Sequence, residues 1–323
     1  IPAMFLSTPH NLTHTYFRGF NADDCIVDQL QSEQGSRFLK KRNRNILLLT
    51  KEDIQIDDDF IWLTYDQIVQ LMRLNNVVNM DTRTVLSCIP LGHPLLAQEN
   101  KKAFSQYYGS SAKDARKLNT ILHKLSNYKS SYYFKIKKIP LTDMEGWHIS
   151  EKEITRSDNK HFKVIATSVE IENREVSKWT QPMIESTQCG LFAVMIKNTD
   201  GIIHFLVRVK FEIGNFDHFE LGPTVQCSPD NYERGEDLLL DYVLSANKEQ
   251  IIFNSFQSEE GGRFYKEENK YMIVKVENDF GMNLTDEYEW LTLAQIKELI
   301  KFNNYVNVQL RSLISMIDYN IVI

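Results

Sequence analysis

Cysteine is scarce in this chain, and the few present do not cluster. Cys25, Cys88, Cys189 and Cys227 are far apart and form no CxxC pair. That excludes a zinc ribbon or a dithiol redox centre and reads as four reduced thiols of a cytosolic protein, more core fillers than ligands. No apolar run approaches the roughly 18 residues that a membrane-spanning helix requires. The first residues, IPAMFLSTPHNL, lack the charged and apolar regions of a secretory leader. No GxGxxG string is present, so nothing points to a dinucleotide cofactor. An excess of positive charge is missing as well: 43 acidic against 37 basic residues leave a net charge of −6, which argues against nucleic acid or an anionic membrane as partner. What is present is ordinary for a globular protein, 42% hydrophobic and 25% charged. At 323 residues the chain can build two domains with their own cores. It starts at Ile1 rather than Met, and the expectation is that it begins inside a longer protein.

The organising feature is a repeat. QSEQGSRF at Gln31 to Phe38 returns as QSEEGGRF at Gln257 to Phe264, 226 residues on. Downstream, Trp62, Gln67, Asn75, Asn79 and Arg83 keep step with Trp290, Gln295, Asn303, Asn307 and Arg311 at a spacing of 228. The two-residue drift is one loop indel, so a whole module is duplicated. The modules are expected at residues 1–96, where Ile1 to Tyr16 looks like the stump of a module lacking its earlier strands, and at residues 141–323. Between them, residues 97–140 read as a helical connector, because Leu118, Ile121, Leu122 and Leu125 share one helical face.

Within the modules, Ala22 to Leu30 fits a short helix or strand, and NILLLT (Asn45 to Thr50) has a strand's length. Thr64 can cap a helix with Gln67 three residues on, and Thr292 repeats the pattern. FKVIATSVEIE, CGLFAVMIK and GIIHFLVRVKFEIG are rich in β-branched and aromatic residues, with NTDG (Asn198 to Gly201) as a hairpin turn between the last two. The fold class is therefore α+β.

The densest set of reactive side chains runs from Trp179 to Tyr232. Alternation puts His204, Leu206, Arg208, Lys210 and Glu212 on one strand face. Such a face is either solvated and laced with ion pairs or it lines a polar cleft. Thr224, Gln226, Asn231 and Tyr232 follow around Pro223 and Pro229, where loops are expected, and this favours the cleft.

Taken together, QSEQGSRFLKKRNRN, NMDTRTVL, WTQPMIE, KFEIGN and PTVQCSPDNY resemble the NDP-hexose 2,3-dehydratases of deoxysugar biosynthesis. The resemblance implies two tandem Nudix-like modules, a homodimer, and no cofactor. It also implies departures: Arg208, Val209 and Ile213 stand where the family usually has Gln, Ala and Pro, and only Leu6 to Tyr16 remains of the first module's own KxEPGN and PTVQ segments. The Nudix likeness concerns fold alone. The REUxEExGU box that holds magnesium is absent, and GGRFYKEEN (Gly261 to Asn269) lacks its spacing, so no metal is expected.

The implied substrate is an NDP-4-keto-6-deoxyhexose, commonly dTDP-linked, with a 3-ketoreductase acting on the product. A base removes the C3 hydrogen, the enolate expels the C2 hydroxyl, and no nicotinamide is consumed. His204, Glu212, Tyr232 and Glu33 are the candidates for base and acid. Arg37, Arg83, Arg263 and Arg311, two duplicated pairs, suit phosphate oxygens, with Lys210 as a further point charge. Gln226, Thr224 and Asn231 would complete the substrate contacts, and Trp179 or Tyr232 would stack on the base. Two other readings stay open: a catalytically silent sugar-nucleotide-binding or assembly module, and a Nudix-type pyrophosphohydrolase.

Overall fold

The first QSE motif closes a hairpin. β1 (Cys25–Ser32) and β2 (Arg42–Leu48) pair antiparallel, with a register shift between Cys25 and Val27. α1 (Tyr65–Leu71) follows, and Thr64 and Gln67 form the reciprocal capping box expected of them. α2 (Met80–Ser87) is capped by Asn79, whose side chain accepts from the Thr82 N–H. Short α3 (Lys101–Ser105) and long α4 (Ser111–Ser131) come next; α4 buries Ile121 and Leu125. The computed structural model describes residues 22–50, 54–55, 60–96, 101–107, 111–172, 176–278, 280, 283–321 and 323. The expected stump at Ile1 to Tyr16 lies outside them.

A four-stranded antiparallel sheet in the order β3 (Trp147–Ile149), β4 (Glu153–Arg156), β5 (Phe162–Glu170), β6 (Lys178–Ser186) precedes the main sheet. Among the described residues the main sheet has seven strands. β7 (Gly190–Thr199) and β8 (Ile202–Phe211) form its central hairpin, turning at Asp200 and Gly201, both at positive φ. β9 (Phe219–Pro223), β10 (Val225–Cys227), β11 (Ile251–Ser258), β12 (Glu268–Lys275) and β13 (Tyr288–Thr292) complete it, in the order β11-β12-β7-β8-β13 with β10 on β7 and β9 on β8. α5 (Leu238–Leu244) packs with Leu206, Met272 and Val274 on one face. The other face carries the larger core, where Val194, Phe205, Val207 and Ile273 meet Leu299 and Leu310 of α6 (Leu293–Ile300) and α7 (Val308–Ser315), and Ile121 of α4.

β7 and β8 stay paired only from Met195/Leu206 to Thr199/Ile202. Beyond that point they part. β10 takes over β7 while β9 takes over β8. Thr224 stands at the fork: its hydroxyl donates to Leu206 O at 2.5 Å and accepts from Met195 N at 2.9 Å. One side chain thus satisfies the two backbone groups that the parting strands leave without a partner.

The two copies of the repeat hold each other. β11 and β12 match β1 and β2, down to the register shift between Ile251 and Phe253. α6 repeats the Thr292–Gln295 capping box, and Asn307 caps α7 as Asn79 caps α2. Gln31 Nε2 donates to Ile300 O, and Gln257 Nε2 donates to Met72 O, both at 2.7 Å. Arg311 Nη2 reaches Ser32 O at 2.6 Å, and Arg83 Nη2 reaches Ser258 O at 2.9 Å. Each helix pair therefore grips the strand end of the other copy, and both arginines are fully buried.

Candidate functional site

Where β7 and β8 part, a cleft of about 550 Å³ opens. Its floor is Gly190 and Phe192 on β7. One wall is formed by Lys210, Glu212, Gln226 and Cys227, with Asn231 and Tyr232 at the rim; the other carries Ser186, Gln188, Glu267 and Asn269. Gln34, Ser36 and Arg37, from the first QSE motif, close it, so both halves of the chain contribute.

That closure depends on two backbones in contact. Gly214, of the KFEIGN stretch, donates its N–H to Gly35 O at 2.8 Å and accepts from Lys40 N at 2.6 Å. A Cβ on Gly214 would stand 2.0 Å from Phe38 O and 2.3 Å from Gly35 O. A Cβ on Gly35 would strike Asn215, 2.1 Å from its Oδ1. Only glycine at both positions lets the turns meet.

The electrostatics of the cleft are those of buried, unequal neighbours. Glu212 accepts from Gln226 Nε2 at 2.8 Å through one oxygen, and its other oxygen is buried without a hydrogen-bond partner among the described residues. Burial pushes this carboxyl above its usual range, against Lys210, which favours the charged form. Lys210 Nζ donates to Gln226 O at 3.1 Å and is pulled below its usual range by burial, with Glu212 opposing. Gln226 is itself held by Asn307, whose amide donates to its Oε1 at 2.8 Å. Arg37 stacks on Phe162, 4.7 Å to the ring centroid, and its Nε has no partner among the described residues. Glu267 and Glu212 both act on Arg37 electrostatically.

Of the residues expected to act, the cleft gathers Glu212, Lys210, Gln226, Asn231, Tyr232 and Arg37. The others stand elsewhere. His204 shares the strand face of Lys210 but lies six residues earlier, about 20 Å along the strand, opposite Thr292 on β13. Its Nδ1 is 3.1 Å from Ile202 O. Thr224 seals the strand fork and has no surface to offer a ligand. Trp179 sits toward the far end of β6 and donates to Gln181 Oε1 at 2.8 Å. Arg83 and Arg311 are consumed by backbone carbonyls of both copies. Arg263 pairs with Glu260 at 3.1 Å and lies over Phe38. Glu33 is buried and accepts from Asn43, as its counterpart Glu259 accepts from Asn269. Both carboxylates tie the strand pair of their own copy together, so the identity of Glu33 across the repeat has a structural cause.

Several cleft residues were not singled out from the sequence: Glu267, Asn269, Gln188, Ser186, His161 and Gln309 among them. The signal was there in negative form. At the repeat spacing, Glu267 stands where the first copy has Lys41, and Gln309 where it has Asp81. At these two positions the copies differ, whereas Arg37 and Asn269, which also line the cleft, have identical counterparts in Arg263 and Asn43.

The fold and cleft define an α+β protein with a polar pocket, one buried and one half-buried carboxyl and two cations, suited to acid–base work on a small anionic molecule. The family model for NDP-hexose 2,3-dehydratase matches residues 7–89 and 118–317. The chain belongs to that family. It is 40% identical over 312 residues to a dTDP-4-dehydro-6-deoxy-alpha-D-glucopyranose 2,3-dehydratase of Saccharopolyspora spinosa, covering 93% of this chain and 64% of that protein. Proteins of the same description from Amycolatopsis orientalis and Streptomyces violaceoruber are 36% and 37% identical over 94% and 91% of this chain. The chain spans 61–66% of the length of these curated relatives. Among solved structures, a C. elegans Ap4A hydrolase aligns with 36% of this chain and 87% of its own at 17% identity and a TM-score of 0.23, too slight a likeness to bear on fold or function.

Proposed function

We propose that this protein removes the C2 hydroxyl of a dTDP-linked 4-keto-6-deoxyhexose, as a cofactor-independent hydro-lyase of deoxysugar biosynthesis. The observation that carries the reading is the buried carboxyl of Glu212, one oxygen without a hydrogen-bond partner among the described residues, beside Lys210 in the cleft of a family member. Glu212 takes the C3 proton, and burial, which raises its carboxyl above the usual range, makes it a stronger base. Lys210 stabilises the negative charge that moves onto the C4 oxygen. Arg37 takes diphosphate oxygens with its fork of donors. Tyr232, half-exposed at the rim, stacks on thymine while Gln226 and Asn231 orient the hexose.

The architecture proposed for this enzyme is a tandem duplication of Nudix-like modules, at residues 1–96 and 141–323 with a helical connector at 97–140. The matched bulges, caps and exchanged contacts support it. A cytoplasmic homodimer, its product passed to a 3-ketoreductase, completes the proposal; no helix among the described residues is long and apolar enough to cross a membrane. The test is incubation of the protein with dTDP-4-keto-6-deoxyglucose, with products followed by mass. Loss of one water from the hexose supports the reading, and unchanged sugar nucleotide refutes it.

A further inference from the structure

The elimination needs two proton transfers at neighbouring carbons, and Glu212 supplies only the first. The departing C2 oxygen leaves as hydroxide, a poor leaving group unless a proton meets it in the transition state. Glu267 was given no part by the sequence or by the reading above. It lies immediately before β12, so it meets the cleft from the β12 side of β7. Glu212 is bonded to Gln226 of β10, on the opposite side of β7. The floor strand therefore runs between two carboxyls. Glu267 Oε2 is buried and has no hydrogen-bond partner among the described residues.

Given the dehydratase reading, we infer that Glu267 is the general acid that protonates the departing C2 hydroxyl. The environments of the two carboxyls divide the work. Burial raises the Glu212 carboxyl above its usual range, and Lys210 opposes this by favouring the charged form that accepts a proton. Burial raises the Glu267 carboxyl above its usual range, and the carboxylate of Glu259 adds to this, favouring the protonated form, against Ser186, Arg37 and Asn269. The two carboxyls flank one floor strand with unlike neighbours, a cation beside Glu212 and a carboxylate beside Glu267, and that asymmetry assigns the base to Glu212 and the acid to Glu267. Tyr232 is the weaker candidate, since its ring stands at the solvent-exposed rim.

The step balances. The C3–H bond breaks, its proton going to Glu212 and its electron pair forming the C3=C4 enolate. As the C4 carbonyl returns, the pair forms C2=C3 and the C2–O bond breaks. The leaving oxygen takes the proton of Glu267 and departs as water. The resulting enol gains a proton at C2 and loses its C3 hydroxyl proton to give the 3,4-diketone.

The test compares wild type with Glu267→Gln on two substrates in deuterium oxide. One is dTDP-4-keto-6-deoxyglucose and the other is its 2-deoxy-2-fluoro analogue, whose fluoride leaves without a proton. In the variant, water loss should fall by about 10²–10⁴-fold, while C3 hydrogen exchange and fluoride release persist near the wild-type rate. Retained exchange also shows that the variant is folded. Unchanged water loss overturns the assignment. So does a folded variant that loses exchange and fluoride release with it, since Glu267 would then serve the first step. A wild-type protein inert toward both substrates removes the dehydratase reading itself, and this assignment with it.

Discussion

Gly214→Ala should do far more damage than one methyl group usually does. The new Cβ would lie 2.0 Å from Phe38 O and 2.3 Å from Gly35 O. Both obstacles are backbone, so no side chain can swing aside. The two turns must separate, which strains the packing by about 1–3 kcal/mol. Separation also breaks Gly214 N–H to Gly35 O and Lys40 N–H to Gly214 O, about 0.5–1.5 kcal/mol each. Against this, alanine narrows the unfolded ensemble, returning about 0.4–1 kcal/mol. The net loss is on the order of 1–5 kcal/mol. The repeat supplies its own control. Gly261 is the counterpart of Gly35, and a Cβ there meets nothing within 4 Å. Gly261→Ala should be neutral, or stabilising by up to about 1 kcal/mol. Urea unfolding of both variants reads the difference as a shift of midpoint at constant slope. If Gly214→Ala unfolds with wild-type stability, the turns are not locked together as described and the reasoning fails.

Arg311→Ala removes donors from Val306 O, Ser32 O and Thr84 Oγ1, each orphaned acceptor costing about 1–3 kcal/mol. It should unfold the protein or lower its stability by more than about 3 kcal/mol, whereas Arg263→Ala, which takes no donor from a backbone carbonyl among the described residues, should cost less in the same urea titration. Burial raises the Glu220 carboxyl to about 7 from an ordinary 4.5. Its folded form therefore holds its proton more tightly than its unfolded form, so stability is fully present below about 4.5 and is lost as pH rises through about 7. Glu220→Gln, keeping an acceptor for Ser32, should flatten that decline in unfolding measured across the interval. The described residues contain no group of His, Cys, Asp and Glu able to hold a metal, so turnover should survive exhaustive chelation; loss with recovery on adding Mg²⁺ would refute this.

The sequence was legible where structure is local. Thr64 with Gln67, and Thr292 with Gln295, announce helix starts because a capping box is complete within four residues. The repeat was equally plain, yet it misdirected the search for ligands. Arg83 and Arg311 are the same in both copies because each copy must clasp the other's strand end, a demand that is symmetric. A ligand bound in one cleft imposes no such symmetry, so Glu267 and Gln309 were free to differ from Lys41 and Asp81. Alternation along β8 correctly gave the face shared by His204 and Lys210 but not the end at which the sheet opens. That opening depends on Thr224 meeting Leu206 and Met195 across the fork, a relation between distant segments. The presence of Arg37 and Lys210 in one cleft likewise required the Gly35–Gly214 contact, which no local pattern encodes.

The account's central claim is that one composite cleft, closed by the first QSE motif over the second half of the chain, receives the sugar nucleotide. Calorimetric titration of dTDP into Arg37→Ala and Arg263→Ala tests it most directly. Arg37 lines the cleft with a donor unpartnered among the described residues, and Arg263 is held by Glu260 outside it. The prediction is a loss of about 1.5–3 kcal/mol of binding for Arg37→Ala, the worth of a charge-assisted phosphate contact, and near wild-type affinity for Arg263→Ala. Undiminished binding by Arg37→Ala together with loss in Arg263→Ala would place the nucleotide elsewhere and contradict the claim.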